Sequence, residues 1–364
     1  MKTFAHTLTL MALVSLTGAG CAKMTFSPVL DNASLATPTP SPTPGPKLPD
    51  YTYSSVVKAG NKQVDFLLVM DDSNSMLADL KKLAASMNAF MMSLESSQID
   101  WQMCLTTTRA LADSQGVYHW GMPLTWAQYS PAVGTSPWVL KKGTADMHNI
   151  FNATVDSLQI GGGASGDERG IKSTYASFQN VGSGCYRDGA AKSVILISDE
   201  DERSVGGDAS KVKAKDNPTA YQPLEADDQP ANLVALTKTV FGEDVRFTFN
   251  SIIVKPGDVT CEATQDLDTS PSHMGYVYNQ LSTLTDGGVG SICEANFADN
   301  LNTFKDKIIN SLSQISLECD PDQQTLSVAV DGQIITNYSV SGNVLHFAAP
   351  LTEGTKLDLS YDCK

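Results

Sequence analysis

Basic residues are scarce in this chain, and clusters of them are absent. Its 364 residues include 25 Lys or Arg against 40 Asp or Glu, which gives a formal net charge of −15 and a pI near 4.6. A surface with that balance does not suit a phosphate backbone, so nucleic acid is excluded as the expected partner. No Cys-x-x-Cys spacing occurs among the seven cysteines, which speaks against zinc and dithiol chemistry. The five histidines (6, 119, 148, 273 and 346) are scattered, with no spacing that serves a metal or a nucleophile, and no Gly-x-Ser-x-Gly elbow appears. These absences set the expectation that the chain is not an enzyme.

The N-terminus reads as a targeting segment. Lys2 precedes an apolar stretch over 8–16 that is too short for a comfortable membrane-spanning helix. Residues 1–20 are therefore expected to be a signal peptide. The small residues Gly18-Ala19-Gly20 before Cys21 resemble the bacterial lipobox, in which the Cys is lipidated and becomes the mature N-terminus; Gly18 stands where that pattern usually has Leu. Ordinary secretory cleavage is the alternative. Without Cys21, six cysteines remain, an even set that reads as disulfides in an exported chain. Residues 21–50 form a linker rich in Pro and Thr. A run such as Thr37-Pro38-Thr39-Pro40-Ser41-Pro42 favours extended polyproline II, at roughly 3.1 Å per residue, and amounts to a stalk several tens of ångströms long. The expected location is the bacterial cell envelope, outer membrane or surface, with membrane contact through the lipid anchor.

About 310 residues follow the stalk, enough for one large domain and a small one. Apolar strands alternate with helical patterns through residues 60–313, which predicts a doubly wound α/β fold with a mostly parallel sheet flanked by helices. The domain is placed at 51–317. Leu77, Leu80, Leu83, Met87, Phe90, Met91 and Leu94 form the helical stripe that follows the first strand. Further helices are expected at 147–158, 167–178, 231–241, 278–284 and 297–312. Two long polar stretches, 203–228 and 255–273, read as loops. From residue 318 to 364 the apolar period changes to two, with a hairpin signal at Asp331-Gly332, so a small all-β module closes the chain.

The first strand, Val64–Met70, runs directly into Asp71-Asp72-Ser73-Asn74-Ser75. In an open parallel sheet this is the edge where ligands bind. One carboxylate and two hydroxyls at alternate positions of a tight turn can point toward one place, and such hard oxygen donors suit Mg²⁺ or Mn²⁺ rather than zinc. The competing reading is local: Asp71 and Ser73 merely cap the helix that follows. Two later segments bear on the choice. One is Ile160-Gly161-Gly162-Gly163-Ala164-Ser165-Gly166-Asp167-Glu168-Arg169-Gly170-Ile171. The other is an aliphatic run, Val194-Ile195-Leu196-Ile197, that ends in Ser198-Asp199.

Taken in order, the three segments resemble the metal-ion-dependent adhesion site of the von Willebrand factor A family. The resemblance implies a Rossmann-like fold and direct ligands at Ser73, Ser75 and a third-loop hydroxyl, with Asp71 and Asp199 as carboxylates. In the family a Thr five residues before the Gly-apolar pair reaches the metal; counting back from Gly170 gives Ser165, with Asp167 or Glu168 as stand-ins if the loop is offset. Glu200 replaces the family's Gly after the second carboxylate, and Asp201 and Glu202 add charge there. The implied partner is a protein that offers an Asp or Glu carboxylate to the metal, in adhesion or recognition. A structural envelope protein with a vestigial site is the alternative, and a metal-dependent hydrolase a weaker one, since phosphatases of the haloacid-dehalogenase type need Asp-x-Asp where this chain has Asp71-x-Ser73.

That topology also orders the cysteines. The loop after the fifth strand and the end of the last strand share one sheet edge, which pairs Cys261 with Cys293. Cys319 and Cys363 bracket the β module, and closing that loop contributes on the order of 4 kcal/mol through chain entropy. Cys104–Cys185 is what remains.

Overall fold

The computed structural model describes residues 49–56, 62–96, 99–160, 167–216, 221–267, 271–349, 351 and 354–364. The expected signal peptide (1–20), Cys21 and most of the expected stalk lie outside them. Seven consecutive buried residues, Val64–Met70, cannot sit on a half-exposed sheet; they need cover on both faces. The central sheet supplies it. Its strands are β1 (Gln63–Met70), β2 (Asp100–Thr107), β3 (Leu140–Lys141), β4 (Ala191–Ile197), β5 (Phe247–Ile253) and β6 (Val289–Ser291). They lie in the order β3-β2-β1-β4-β5-β6, and all pairs are parallel except β2 with the short edge strand β3. The order reverses between β1 and β4, which makes their carboxyl ends the switch point of the sheet.

The helices are α1 (Leu77–Ser96), α2 (Met147–Ile160), α3 (Gly170–Gln179), α4 (Pro230–Phe241), α5 (Val259–Gln265), α6 (Tyr276–Leu284) and α7 (Ala298–Ser311). The two-residue period of β1 divides them into layers. Phe66, Leu68 and Met70 pack with Leu83 and Phe90 of α1, Phe151 of α2 and Phe304 of α7. Leu67 and Val69 pack with Ile171 of α3, Leu233 of α4 and Leu281 of α6. This is the doubly wound architecture that the alternating pattern predicts.

The expected helices are found with ends shifted by at most three residues, and two departures bear on the site. Helix α3 starts at Gly170, not at 167, because the side chains of Asp167 and Arg169 are drawn into ion pairs outside the helix. Gly170 itself is required: a Cβ there would lie 2.1 Å from Leu196 Cδ1, so the helix start sits closer to β4 than a side chain allows. The stretch 255–273 is not a plain loop, since α5 forms within it and carries Cys261.

The C-terminal residues form two small antiparallel sheets. One orders the strands Tyr51–Val56, Lys356–Tyr361, Ser327–Val330 and Gln333–Ile334; the other holds Gln314–Ser316, Val344–Phe347 and Tyr338–Ser341. Their shared core is Leu317, Leu326, Val328, Leu345, Phe347, Leu357, Leu359 and Tyr361. Asp331 and Gly332 both have positive φ, 50° and 79°, as a two-residue type I′ hairpin demands. Residues 51–56 and 314–316, assigned by sequence to the α/β domain, thus build the sheets of the β module. The register runs from Tyr51 opposite Tyr361 to Val56 opposite Lys356. Local pattern cannot reveal that pairing, because its two strands stand at opposite ends of the chain. Disulfides join Cys104 to Cys185, Cys261 to Cys293 and Cys319 to Cys363, with Cα separations of 5.8, 5.7 and 5.8 Å. Among the described residues, no helix is long and apolar enough to cross a membrane.

Candidate functional site

The carboxyl ends of β1 and β4 are sewn together. The backbone N–H of Asp71 donates to the carbonyl of Ile197 at 3.0 Å. Asp71 Oδ1 accepts from the Ser73 N–H at 2.9 Å, and Oδ2 accepts from the Ser198 hydroxyl at 2.7 Å. The hydroxyls of Ser73 and Ser75 lie 3.0 Å apart. Ser73 makes no side-chain cap on the turn and helix that follow, so its hydroxyl is not used as a helix cap. Asp71, Ser73 and Ser75 therefore meet in one place, as their alternate spacing predicts. The Asp71 side chain does not reach the exposed rim: it is fully buried, held by the Ser198 hydroxyl at the end of β4. Burial raises its pKa to about 6 against the hydrogen bonds from Ser198 and Ser73.

Asp199 is the least satisfied group in the site. It is fully buried, and neither carboxylate oxygen has a hydrogen-bond partner. Burial drives its pKa well above the carboxylate range, and the charges of Asp71 and Glu200 push it further. Ser75 is close enough to draw it down slightly without making a hydrogen bond of acceptable geometry. A buried, unpaired carboxylate costs several kcal/mol unless a proton or a cation joins it.

Ser165 lies outside the described residues. Of its two stand-ins, Asp167 is committed elsewhere, in a two-pronged pair with Arg203 at 3.1 and 2.8 Å. Glu168 is fully buried; its Oε2 accepts from the Thr108 hydroxyl and its Oε1 has no partner. Burial raises the Glu168 pKa well above normal, followed by the charges of Asp71 and Glu200, which places the three in one electrostatic group. The pKa of Glu200 is raised to about 8, again by burial first and Asp71 second.

The rest of the acidic run has another use. Asp201 accepts from the Val277 N–H at 3.0 Å, at the start of α6. Glu202 accepts from the N–H groups of Ile171 and Lys172, at 2.8 and 3.1 Å, at the start of α3. Both satisfy orphan helix donors and favourably oppose the helix dipoles. They are caps, not extra charge at the site.

Residues that sequence reasoning passed over complete the surroundings. Arg109 grips Asp72 from Nε (2.9 and 3.0 Å) and Nη2 (2.7 Å), which ties the β1 turn to the end of β2. Thr108 and Ser198 supply hydroxyls; each follows the last residue of a buried strand, and that position was the available signal. The two long loops also clasp each other. Lys213 Nζ meets Asp266 at 2.9 Å and Glu262 at 3.0 Å, and His273 Nε2 lies 3.2 Å from Asp216. The His273 N–H in turn donates to the carbonyl of Asp199 at 2.8 Å. His119 pairs with Asp113 and His148 with Asn152, both on exposed surface. Among the described residues, no three His, Cys, Asp or Glu side chains close into a cage by themselves. A site built on serine hydroxyls with a carboxylate on either side does not need such a cage.

No family model and no curated protein matches the chain. Among solved structures it is similar to the SpaC pilus adhesin of Lactobacillus rhamnosus GG in its open conformation, at 13% identity over 86% of this chain and 41% of that one, with a TM-score of 0.35. It is similar to the human COPII-coat protein Sec24c at 9% identity, over 86% and 42% of the two chains, TM-score 0.39. A third likeness is to proximal thread matrix protein 1 of the mussel byssus, 15% identical over 64% and 48%, TM-score 0.29. The chain thus spans about two-fifths of the first two proteins. At these scores the likenesses carry no argument about what the chain does.

Proposed function

We propose that this chain is a recognition module of the von Willebrand factor A type, which holds a divalent cation at the carboxyl edge of its sheet and binds a partner's carboxylate through it. The observation that carries the reading is Asp199, buried with both oxygens unpartnered beside Asp71 and the Ser73–Ser75 pair. The donor set is all oxygen and hard, which fits Mg²⁺ or Mn²⁺. Asp71, Ser73, Ser75 and Asp199 would hold the ion, with Ser165 as the expected third-loop hydroxyl. The ion would supply the positive charge that the buried carboxylates lack and a Lewis-acid position for the partner's Asp or Glu. The protein's own part is to keep water and competing cations away: Arg109 is held on Asp72 and the loops around Asp199 are clasped.

Titration of the full chain with Mn²⁺, followed by calorimetry, should give one ion per chain. Asp71→Ala should weaken that binding by at least about tenfold, with the fold checked by circular dichroism because the side chain is buried. A partner that is captured from envelope extracts equally well in Mg²⁺ and in EDTA would overturn the metal-bridged reading.

The same proposal places the module in an exported, lipid-anchored protein of the cell envelope. It is supported by three disulfides, which form in oxidising compartments, and by the Gly18-Ala19-Gly20-Cys21 run. Metabolic labelling with a fatty acid should mark the wild type and not Cys21→Ala; equal labelling of both would end the lipoprotein assignment.

A further inference from the structure

We infer that a cleft beside the start of α2 is a binding site for a neutral saccharide, set at the end of the sheet opposite to Asp71 and Asp199. The inference does not rest on the cation reading above.

The cleft has a volume of about 430 Å³, within the range of about 300–1,000 Å³ that small-molecule sites occupy. One wall is the turn over 128–132; the other runs from Thr144 into the first turn of α2, at Asn149 and Ile150. Its place follows from the edge strand β3. Lys141 lies opposite Gln102, and the Lys142 N–H donates to the Trp101 carbonyl, so the chain leaves β3 toward the amino end of β2. Asp71 and Asp199 follow the carboxyl ends of β1 and β4.

Both walls are anchored. Trp126 is buried, its ring centroid lies 5.2 Å from that of Phe151 in α2, and its indole N–H donates to the Trp138 carbonyl at 3.1 Å. The Ala127 N–H donates to the Thr154 hydroxyl at 3.0 Å, and the Thr144 hydroxyl donates to the Lys141 carbonyl at 2.6 Å. On this frame Gln128 and Asp146, one in each wall, have φ of 58° and 56°. A side chain with a Cβ is uncommon in that region, and for Gln it is more so than for Asn or Asp. Two such residues facing one cleft on a fixed frame point to a selected arrangement of side chains.

The lining decides the ligand. Gln128, Ser130, Asp146 and Asn149 offer amides, a hydroxyl and a carboxylate, and among the described residues none of these side chains has a hydrogen-bond partner. Tyr129, half-buried against the core, and Ile150 supply an apolar surface beside them. No Lys or Arg lines the cleft, so an anion finds no charge to pair with. A wholly apolar ligand would strand the polar groups. A pyranose meets both demands: its C–H face packs on a tyrosine ring, and its hydroxyls donate to the carboxylate and exchange hydrogen bonds with the amides.

The test is calorimetric titration of the full chain, in EDTA, with maltotriose, cellotriose and triacetylchitotriose as probes. At least one should bind. Tyr129→Ala and Asn149→Ala should each weaken that binding at least about tenfold; Asn149 is exposed, so its variant keeps the fold if the Tyr129 variant does not. Gln128→Gly should also weaken binding while raising the thermal midpoint, since glycine adopts a positive φ freely. Binding of none of the three probes, or full affinity in the Asn149 variant, would overturn the inference. So would binding that appears only with Mg²⁺ present, or tighter binding of tetramethylammonium, which would make the cleft a cation cage of Tyr129 and Asp146.

Discussion

Exchanging Asp199 for Asn will raise the thermal midpoint of the metal-free chain at pH 8 and remove the further rise that Mg²⁺ or Mn²⁺ gives the wild type. Ordinary structural residues do the opposite, so the sign is informative. In the metal-free wild type, a carboxylate without a single hydrogen-bond donor is buried beside Asp71 and Glu200, and burial and like charge both oppose its ionisation. At pH 8 the folded state must either bury that charge or bind a proton against the solution, and both cost stability. The amide removes the charge at nearly constant shape. A relief of about one to two kcal/mol corresponds to about 2–4 °C in a domain of this size. Scanning calorimetry in EDTA and in saturating Mg²⁺ reads both halves of the prediction. Equal losses in the two conditions would make Asp199 a structural group and nothing more.

Acid will stabilise the metal-free protein, and divalent ions will matter most where acid does not help. Asp71 has a pKa raised to about 6, Asp201 to about 7 and Glu200 to about 8, in each case chiefly by burial. The unfolded chain releases these protons near pH 4, whereas the folded chain keeps them into the neutral range. The folded state therefore binds more protons between those limits, and stability falls as pH rises through the window. The stability is fully present below about pH 4 and is lost as pH passes the folded-state values of about 6 to 8. The metal-free midpoint should drop by several degrees between pH 5 and pH 8, while the gain on adding Mn²⁺ grows over the same interval. Ion binding near pH 6.5 should also release protons, measurable by repeating the calorimetry in buffers of different ionisation enthalpy. A metal-free chain that is more stable at pH 8 than at pH 5 would contradict the raised values.

What could be read beforehand follows the range of the forces involved. The alternation of Phe66, Leu67, Leu68, Val69 and Met70 between two helical layers is a local property of a strand, and it was legible. So was the convergence of Asp71, Ser73 and Ser75, because a tight turn brings alternate residues together whatever surrounds it. The burial of Asp71 was not, since it depends on the Ser198 hydroxyl at the end of another strand. Asp201 and Glu202 looked like loose charge beside the site; the donors they satisfy belong to α6 and α3, and only the packed fold brings those helix starts near. Glu168 is the clearest case. Spacing alone points to Ser165, whereas the buried Glu168 is held by the Thr108 hydroxyl, 60 residues earlier in the chain. The pairing of 51–56 with 356–361 was illegible for the same reason.

That terminal pairing has a mechanical consequence. Any pull on the segment before residue 51 enters the protein at Tyr51, and the covalent chain leads from there through β1 to Asp71, some twenty residues later. Under the proposed function, tension between a tether before residue 51 and a partner held at the carboxyl edge of β1 would run along Tyr51–Val56 and then β1 to Asp71. The strand Tyr51–Val56 stands first in that line of force. Its hydrogen bonds to Lys356–Tyr361 would give way first under such a pull, and the Cys319–Cys363 crosslink, two residues beyond Tyr361, would hold that partner strand in the β module.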